Sequence, residues 1–261
     1  MKQALKHMLP PRLLRALQRK YYERAQLKFT LASGVHVEVL SHVDWCLYND
    51  IFVDGEYDKP IETLVSLARD GRDELRILDL GSNVGFFLLR VLDRLGVEGL
   101  RPKLFVAAVE PDACNIAEMR RRVGQQEAHR AGRCQLNLVR GLAGKRQGGA
   151  AFQQTHSYHA GRVVESSTDA SKNKMQLEYI DLDQTFGEQH WDLVKCDIEG
   201  SESEFVSCYA ELLQRSSAFV VELHHGICEL PSVLPSLQEA GFHHGGAIAE
   251  RKANSVHLFL R

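Results

Sequence analysis

Acidic residues and glycines cluster at three places in the sequence, each directly after an apolar run. The first cluster is the stretch 79–85 (DLGSNVG), between a predicted strand and a predicted helix. Glycine at such a turn lets the backbone approach a ligand closely and bend into the start of a helix. Gly81 and Gly85 stand four residues apart with Asn83 between them, so this is not the GxGxxG pattern of a dinucleotide-binding fold. We expect Asp79 to meet an ammonium group and the helix N-terminus to meet a carboxylate, as a zwitterionic amino-acid group requires.

Glu110 ends the next apolar run of the chain, 104–109, and is followed by Pro111 and Asp112. A carboxylate at the end of a strand can accept hydrogen bonds from both hydroxyls of a ribose that lies across the strand ends. The glycine turn and this carboxylate together indicate a cofactor that contains a nucleoside. A turn that binds no ligand, and a Glu110 that only faces solvent, are the simpler alternatives.

The third cluster, from Asp197 to Glu202 (DIEGSE), follows the predicted strand 192–196, which carries Lys195. Open α/β sheets bind their ligands at the carboxyl ends of central strands, so the carboxylates and the lysine are expected to converge there. Asp197 and Glu199 point to the same side if the strand pleat continues. Helix capping, with acids in the first turn of a following helix, explains Glu202 but not Asp197.

The next predicted strand, 218–223, is followed by His224, which brings Glu222 or His224 beside Asp197. Histidine is a candidate general base because its unperturbed pKa is about 6.5. The simpler alternative is a His224 that hydrogen-bonds to a neighbouring loop. No residues have the spacing of a metal site, although a divalent ion held by Asp197 and Glu199 is an alternative way to activate a hydroxyl group.

Apolar runs alternate with amphipathic stretches over most of the chain. Strands are predicted at 76–80, 104–109, 136–139, 192–196 and 218–223, and helices at 84–95, 112–123, 201–213 and 234–240. Continuous apolar strands between helices predict a mostly parallel sheet with helices on both faces, which is a Rossmann-like α/β fold. Two strands on either side of 252–254 form a terminal hairpin, which adds an antiparallel strand to the sheet.

Residues 55–261 are predicted to form this α/β domain, and residues 1–54 a small N-terminal cap. The cap combines a basic amphipathic helix over 12–22 with a hairpin of short strands, 28–31 and 35–40, in the alternating region 28–53. The interval 144–174 has no clear periodicity. A loop of that length in a compact domain predicts a lid or a mobile segment.

The charge of the chain is unevenly distributed. The 261 residues have a formal net charge of −2, but the first 24 contain seven Lys/Arg and one acid. Near-neutral charge overall argues against a nucleic-acid partner. The basic helix either docks on the domain or on a second copy of the chain, or it contacts an anionic membrane surface. No apolar run is long enough to span a membrane, and six scattered cysteines predict free thiols in the cytoplasm.

Four segments, in their order along the chain, resemble the FkbM-type family of S-adenosylmethionine-dependent methyltransferases. They are DLGSNVG at 79–85, VEP at 109–111, DLVKCDIEGSE at 192–202 and VVELH at 220–224. Ser82 stands where the family commonly has alanine. The resemblance implies a class I methyltransferase sheet and the transfer of a methyl group to a hydroxyl oxygen of a small-molecule, sugar, glycolipid or polyketide-type acceptor.

The resemblance covers roughly residues 50–245 and also implies roles for single residues. The cofactor-binding residues that it implies are Asp79, Gly81, Ser82, Asn83, Gly85, Glu110, Pro111, Asp112 and Asp197. Glu110 would hold the ribose, and Asp197 would stand nearest the methyl group and the acceptor. The catalytic candidates are Asp197 first, then His224 and Glu199.

Two other functions stay open at this point. A nicotinamide-dependent oxidoreductase could use a similar sheet, but the missing glycine of GxGxxG counts against it. A catalytically silent module would bind the cofactor and recruit a partner through the basic N-terminal helix. Cofactor binding without methyl transfer would distinguish that module from an enzyme.

Overall fold

A seven-stranded sheet forms the centre of the computed structural model, which describes residues 17, 20–22, 24–146, 148–154, 161–164 and 174–261. The described strands are, in chain order, β1 Leu27–Thr30, β2 His36–Val39, β3 Glu74–Leu80, β4 Lys103–Glu110, β5 Cys134–Arg140, β6 Leu142–Ala143, β7 Gly149–Gln154, β8 Gly161–Val164, β9 Lys174–Ile180, β10 Leu193–Cys196, β11 Ala218–His224, β12 His243–Glu250 and β13 Asn254–Leu260. Seven of them form the central sheet in the order β12-β13-β11-β10-β3-β4-β5. The strand order therefore reverses between β3 and β10.

The pairing of the central sheet confirms the Rossmann-like α/β fold expected from the sequence. Strands β5, β4, β3, β10 and β11 are parallel to one another, and β13 pairs antiparallel with β11. Every residue of β10 is buried, as expected for a strand covered on both faces. The terminal hairpin of β12 and β13 supplies the expected antiparallel strand.

Helices cover both faces of this sheet. They are α1 His42–Tyr48, α2 Asp58–Arg69, α3 Phe86–Val97, α4 Ala113–Gly124, α5 Glu127–Arg130, α6 Leu182–Phe186, α7 Glu202–Cys208, α8 Ala210–Gln214 and α9 Leu230–Glu239. Successive residues of a strand face opposite sides, so Ile77 of β3 packs with α2, α3 and α4, and Leu78 packs with α7, α8 and α9. The helix expected over 201–213 is interrupted at Tyr209.

The N-terminal cap contains more than the predicted hairpin. Strands β1 and β2 form the hairpin expected from the short strands 28–31 and 35–40, and in the described stretch between Val39 and residue 53 there is no further strand. Helix α1 and a π-helical turn, Asn49–Val53, follow instead, because the Ser41 side chain accepts the backbone N–H of Asp44 and begins a helix. Residues 17, 20–22 and 24–25 are helical, and the rest of the predicted basic helix lies outside the described residues.

Across the part of the chain that the structure describes, no helix is both long enough and apolar enough to cross a membrane.

The interval expected to be an irregular lid contains strands. Strands β6, β9, β7 and β8 form a separate four-stranded sheet, in which Leu142, Phe152 and Leu177 pack together. Neither β7 (GAAFQQ) nor β8 (GRVV) has the alternating apolar pattern that predicts a strand. Residues 147, 155–160 and 165–173 lie outside the described residues, and the role of a lid stays a prediction.

The turn after β3 packs directly against the end of β10. The backbone N–H of Asp197 donates to the carbonyl of Leu80 at 3.1 Å, and that of Gly81 donates to the carbonyl of Val109 at 2.9 Å. Gly81 has a φ of +72°, and a Cβ there would lie 1.7 Å from the Asp197 carbonyl oxygen. Only glycine meets both constraints, because it accepts a positive φ and carries no side chain.

We expect Gly81→Ala to destabilise the fold by about 3 kcal/mol, from left-handed backbone strain of about 1–2 kcal/mol and overpacking of about 1–3 kcal/mol. Gly132 is a matched control, with a φ of +71° and no atom within 4 Å of a Cβ. Gly132→Ala should therefore lower the free energy of unfolding only by the backbone strain, about 1 kcal/mol. Urea denaturation followed by circular dichroism measures both losses, and equal losses would contradict the close approach of Gly81 to Asp197.

Candidate active site

A cavity of about 170 Å³ lies at the carboxyl ends of β3, β10 and β11. Residues 81–83 of the glycine turn line it, together with Lys195, Asp197, Glu199 and Glu222. Other segments complete the lining, among them Leu47, Asp50, Ile51, Glu56, Tyr57, Arg251 and Asn254. This is the point where the strand order reverses, which is where open α/β sheets bind their ligands.

Lys195 forms a buried ion pair with Asp79 on the neighbouring strand. The two residues are register partners, and Lys195 Nζ lies 3.2 Å from Asp79 Oδ1. The same ammonium donates to the Gly81 carbonyl at 3.0 Å and lies 3.8 Å from Asp197 Oδ2. Burial raises the pKa of Asp79 and opposes the charge of Lys195, but the two carboxylates hold the pKa of Lys195 above its ordinary value. Asp79 therefore faces Lys195, and its contact with a ligand's ammonium group stays a prediction.

Glu110 lies at the end of β4 and contacts the glycine turn. Its Oε2 accepts the backbone N–H of Asn83 at 2.9 Å, and its Oε1 accepts the N–H of Asp112 at 2.9 Å and Nδ2 of Asn115 at 3.1 Å. Burial raises the pKa of Glu110 to about 7, although these donors favour the ionised form. Asn83 reaches the carboxylate with a left-handed φ of +49°. The two parts of the predicted nucleoside site are thus in contact.

The other residues of the predicted cofactor site surround this contact. Gly85, with a φ of +89°, directly precedes helix α3. Asp112 caps α4 by accepting the backbone N–H of Cys114 at 2.6 Å, and Pro111 precedes it in the chain. Ser82 is buried, and within the described residues its hydroxyl has no hydrogen-bond partner. Ser82 also belongs to the lining of the cavity.

Asp197, Glu199 and His224 meet at the ends of β10 and β11. The strand pleat that was expected to align the two acids does not continue, because β10 ends at Cys196 and Glu199 has a left-handed φ of +56°. Even so, one donor atom from each of the three residues lies within 4.8 Å of the other two. His224 Nε2 is 3.1 Å from Glu199 Oε2, and Nδ1 is 2.9 Å from Glu202 Oε1.

These contacts argue against His224 as a general base. Burial alone would lower its pKa, but the hydrogen bonds to Glu199 and Glu202 raise the pKa to about 11. A ring flanked by two carboxylates keeps both of its protons at neutral pH and cannot accept another. The simpler alternative, hydrogen bonding to a neighbouring loop, describes what His224 does. Asp197 and Glu199 are the remaining proton acceptors of the expected set.

Two further residues line the wall of the cavity. For Glu222 the sequence left an alternative open, and for Arg251 it gave no indication. Burial, followed by the charge of Asp197, raises the pKa of Glu222 to about 9, and Asn254 donates a hydrogen bond to it. The sequence left open whether Glu222 or His224 faces the site. Arg251, in the final hairpin turn, pairs with both carboxylate oxygens of Glu56 at 2.8 Å. No sequence signal indicated this pair, because its members are far apart in the chain.

Comparison with known proteins gives a likeness in fold. No family model and no curated protein matches the chain. Among solved structures, it is similar to magnesium protoporphyrin IX methyltransferase from Synechocystis PCC 6803 with bound S-adenosylmethionine (13% identity, 95% of each chain covered, TM-score 0.41). It is also similar to the human methyltransferase 10 domain containing protein (14% identity, 96% of this chain and 95% of that chain, TM-score 0.46). At these identities and scores, no activity or residue role is transferred to this chain.

We expect Lys195→Met to destabilise the fold by about 3–5 kcal/mol, because it leaves the Asp79 carboxylate buried without a partner. Lys145→Met is a matched control: Lys145 forms an exposed ion pair with Asp183 at 3.0 Å, and its loss should cost less than about 1 kcal/mol. Urea unfolding measures both changes. The double variant Asp79→Asn/Lys195→Met should regain part of the lost stability, and a double variant no more stable than Lys195→Met would contradict the pairing.

Proposed function

We propose that the chain is an S-adenosylmethionine-dependent methyltransferase that acts on a hydroxyl oxygen of a small-molecule, sugar, glycolipid or polyketide-type acceptor. One observation carries this proposal. The Glu110 carboxylate, at the end of β4, and the Asn83 backbone, in the glycine turn after β3, meet at 2.9 Å, beside the point between β3 and β10 where the strand order reverses. A nucleoside-containing ligand needs both elements at one place.

The residues of this edge fit the cofactor. The close approach of Gly81 to Asp197 leaves bare backbone beside the cavity, where a larger residue would project a side chain. The unpartnered hydroxyl of the buried Ser82 offers a further polar contact. Glu110 would bind the ribose hydroxyls, and the N-terminus of α3 would bind the carboxylate of the methionine end. When bound, the cofactor supplies a methyl group on an electrophilic sulfonium.

The acceptor side of the site is assigned to Asp197. It lines the cavity beside the glycine turn, and its carboxylate is partly exposed there, with Lys195 3.8 Å away. Alignment of two bound reactants can lower a barrier by about 7–11 kcal/mol, and proton removal adds about 10²–10⁴-fold. We assign Asp197 to receive the hydroxyl proton as the acceptor oxygen takes up the methyl group.

The proposed family is supported by the sequence motifs, the class of acceptor by the charge of the site, and the compartment by the cysteines. Membership of the FkbM-type family is supported by the four motifs. The lining of the cavity has more acids than cations, which disfavours a polyanionic acceptor such as a nucleic acid. All six cysteines are free thiols, which supports the cytoplasm as the compartment. Docking, self-association and membrane contact remain the proposed roles of the N-terminal helix.

The affinity for S-adenosylmethionine should increase with pH. If the ribose hydroxyls donate to ionised Glu110, whose pKa is about 7 before the ligand binds, the ionised fraction and the affinity rise about tenfold from pH 6 to pH 8. Isothermal titration calorimetry at several pH values measures this change. Glu110→Gln should weaken binding and remove the pH dependence.

Glu127→Gln, an exposed glutamate of α5, is the control for that series and should keep the pH dependence. Binding of S-adenosylmethionine that is independent of pH in the unsubstituted chain would contradict the role of Glu110. Binding of NAD⁺ with no binding of S-adenosylmethionine would contradict the proposed function as a whole.

Asp197→Asn should lower kcat for methyl transfer by about 10²–10⁴-fold and leave the affinity for S-adenosylmethionine nearly unchanged, because Asp197 acts on the acceptor. Methyl-labelled cofactor incubated with sugar, glycolipid and polyketide-type acceptors identifies the substrate and measures the rate. Asp70→Asn, at the exposed end of α2, is the matched control. Full turnover by Asp197→Asn would refute the assignment, and cofactor binding with no transfer to any acceptor would favour a silent module.

A further inference from the structure

We propose that Asp197, Glu199 and His224 form a binding site for one divalent transition-metal ion at the acceptor side of the cavity. One donor atom from each residue lies within 4.8 Å of the other two. Donors that share one ion at about 2.0–2.2 Å are separated by about 3–4 Å, so small side-chain rotations complete the site. The role of the ion in methyl transfer rests on the proposed function, but the binding of the ion does not.

The three donors are placed by the ends of two adjacent strands. Strands β10 and β11 are parallel neighbours, with Cys196 opposite Val221. Asp197 directly follows β10, and the left-handed φ of +56° at Glu199 turns the chain so that Glu199 Oε2 lies 3.1 Å from His224 Nε2. A strand that continued past Asp197 would not produce this contact.

A buried carboxylate orients the histidine in the way that metal sites commonly use. Glu202 is fully buried, and its Oε1 accepts both His224 Nδ1 and the backbone N–H of Gly200 at 2.9 Å. Metal-binding histidines usually donate their second ring N–H to such a carboxylate, which leaves the other nitrogen for the ion. The remaining oxygen of Glu202 has no hydrogen-bond partner among the described residues.

Two further observations point to a ligand in this cavity. Ser82 is only 3% exposed and lines the same cavity as Asp197 and Glu199, yet its hydroxyl has no partner in the described part of the chain. The lining also has an excess of negative charge. Apart from Glu222, whose pKa of about 9 keeps it uncharged at neutral pH, its acids are Asp50, Glu56, Asp197 and Glu199, and its cations are Lys195 and Arg251. Partly buried carboxylates need compensating positive charge, and a divalent ion supplies it.

The donor set also suggests the kind of ion and its effect. Two carboxylates and an imidazole suit Mn²⁺, Fe²⁺ or Zn²⁺ better than Mg²⁺ or Ca²⁺, which prefer oxygen donors alone. Without an ion, His224 Nε2 lies 3.1 Å from Glu199 Oε2, and the ion would bind between these two atoms while Nδ1 keeps its hydrogen bond to Glu202. Three side-chain donors leave coordination positions for an acceptor hydroxyl, whose pKa the ion would lower. The hydroxyl proton would then pass to the oxygen of Asp197 that does not coordinate the ion, as the acceptor oxygen takes up the methyl group.

Mn²⁺ titration of the full chain, with neither cofactor nor acceptor present, tests the site. Electron paramagnetic resonance of free Mn²⁺ should show one ion bound per chain, and Glu199→Gln and His224→Gln should weaken binding at least about tenfold. Glu204→Gln is the matched control, because Glu204 lies in the same segment but pairs with the exposed Arg146. It should bind Mn²⁺ as the unsubstituted chain does.

The deciding measurement uses the unsubstituted chain, because a substituted chain can fail to fold. Electron spin echo modulation of bound Mn²⁺ should show a directly coordinated nitrogen. Absence of that nitrogen, or absence of Mn²⁺ binding by a chain that still binds S-adenosylmethionine, would overturn the metal site and leave the proposed function intact. A chain that binds Mn²⁺ normally but does not bind S-adenosylmethionine would overturn the proposed function and leave the metal site intact. Equal Mn²⁺ affinity in folded Glu199→Gln, His224→Gln and the unsubstituted chain would also overturn the site.

Discussion

A buried ammonium group holds together the edge of the sheet where the candidate site lies. Lys195 reaches across from β10 to Asp79 at 3.2 Å and to the carbonyl of Gly81 at 3.0 Å. Removing an ammonium ion from water costs several kcal/mol, and carboxylates and carbonyls must replace the lost hydration. Lys195 therefore requires Asp79 beneath the glycine turn, and it also supplies positive charge near Asp197. The positions of these groups depend on one another.

The close contact between two backbone segments follows from the same arrangement. The turn after β3 approaches the end of β10 so closely that Gly81 admits no side chain beside the Asp197 carbonyl. The next residues of the turn then lie at the end of β4, where Asn83 donates to Glu110. Three parallel strands thus contribute backbone and carboxylate groups to one small volume. A residue with a side chain at position 81 would push the glycine turn, which contacts Glu110, away from Asp197.

The sequence was most informative where structure is determined locally. Apolar runs flanked by helical periodicity predicted the strands and helices of the sheet, because both faces of a parallel sheet are buried. The glycine turn and Glu110 were recognised because residue type alone indicates a close backbone approach and a strand-end acceptor. Alternation also predicted the N-terminal hairpin, whereas the helix that follows it, capped by Ser41, was not predicted.

Partners distant in the chain could not be predicted in the same way. His224 looked like a base from its type and position, but its neighbours Glu199 and Glu202 lie more than twenty residues earlier, and they reverse that conclusion. The positive φ of Glu199, which produces the contact, has no signal in its residue type, since positive φ is uncommon outside glycine and asparagine. Arg251 and Glu56 meet across 195 residues of sequence. Such contacts are properties of the assembled sheet.

The wall of the cavity also depends on residues that are distant from the motifs in the chain, and under the proposed function this wall would contact the acceptor. Motif residues line one part of the cavity, whereas Leu47, Asp50 and Ile51 line it from α1 and the π-helical turn. Arg251, in the turn of the terminal hairpin, forms ion pairs with two residues of this wall, Glu56 at 2.8 Å and Asp50 at 3.6 Å. These segments lie near the two ends of the described chain and carry none of the motifs. Two proteins with identical motifs can therefore present different walls to an acceptor, so the substrate must be sought in the cap and the hairpin.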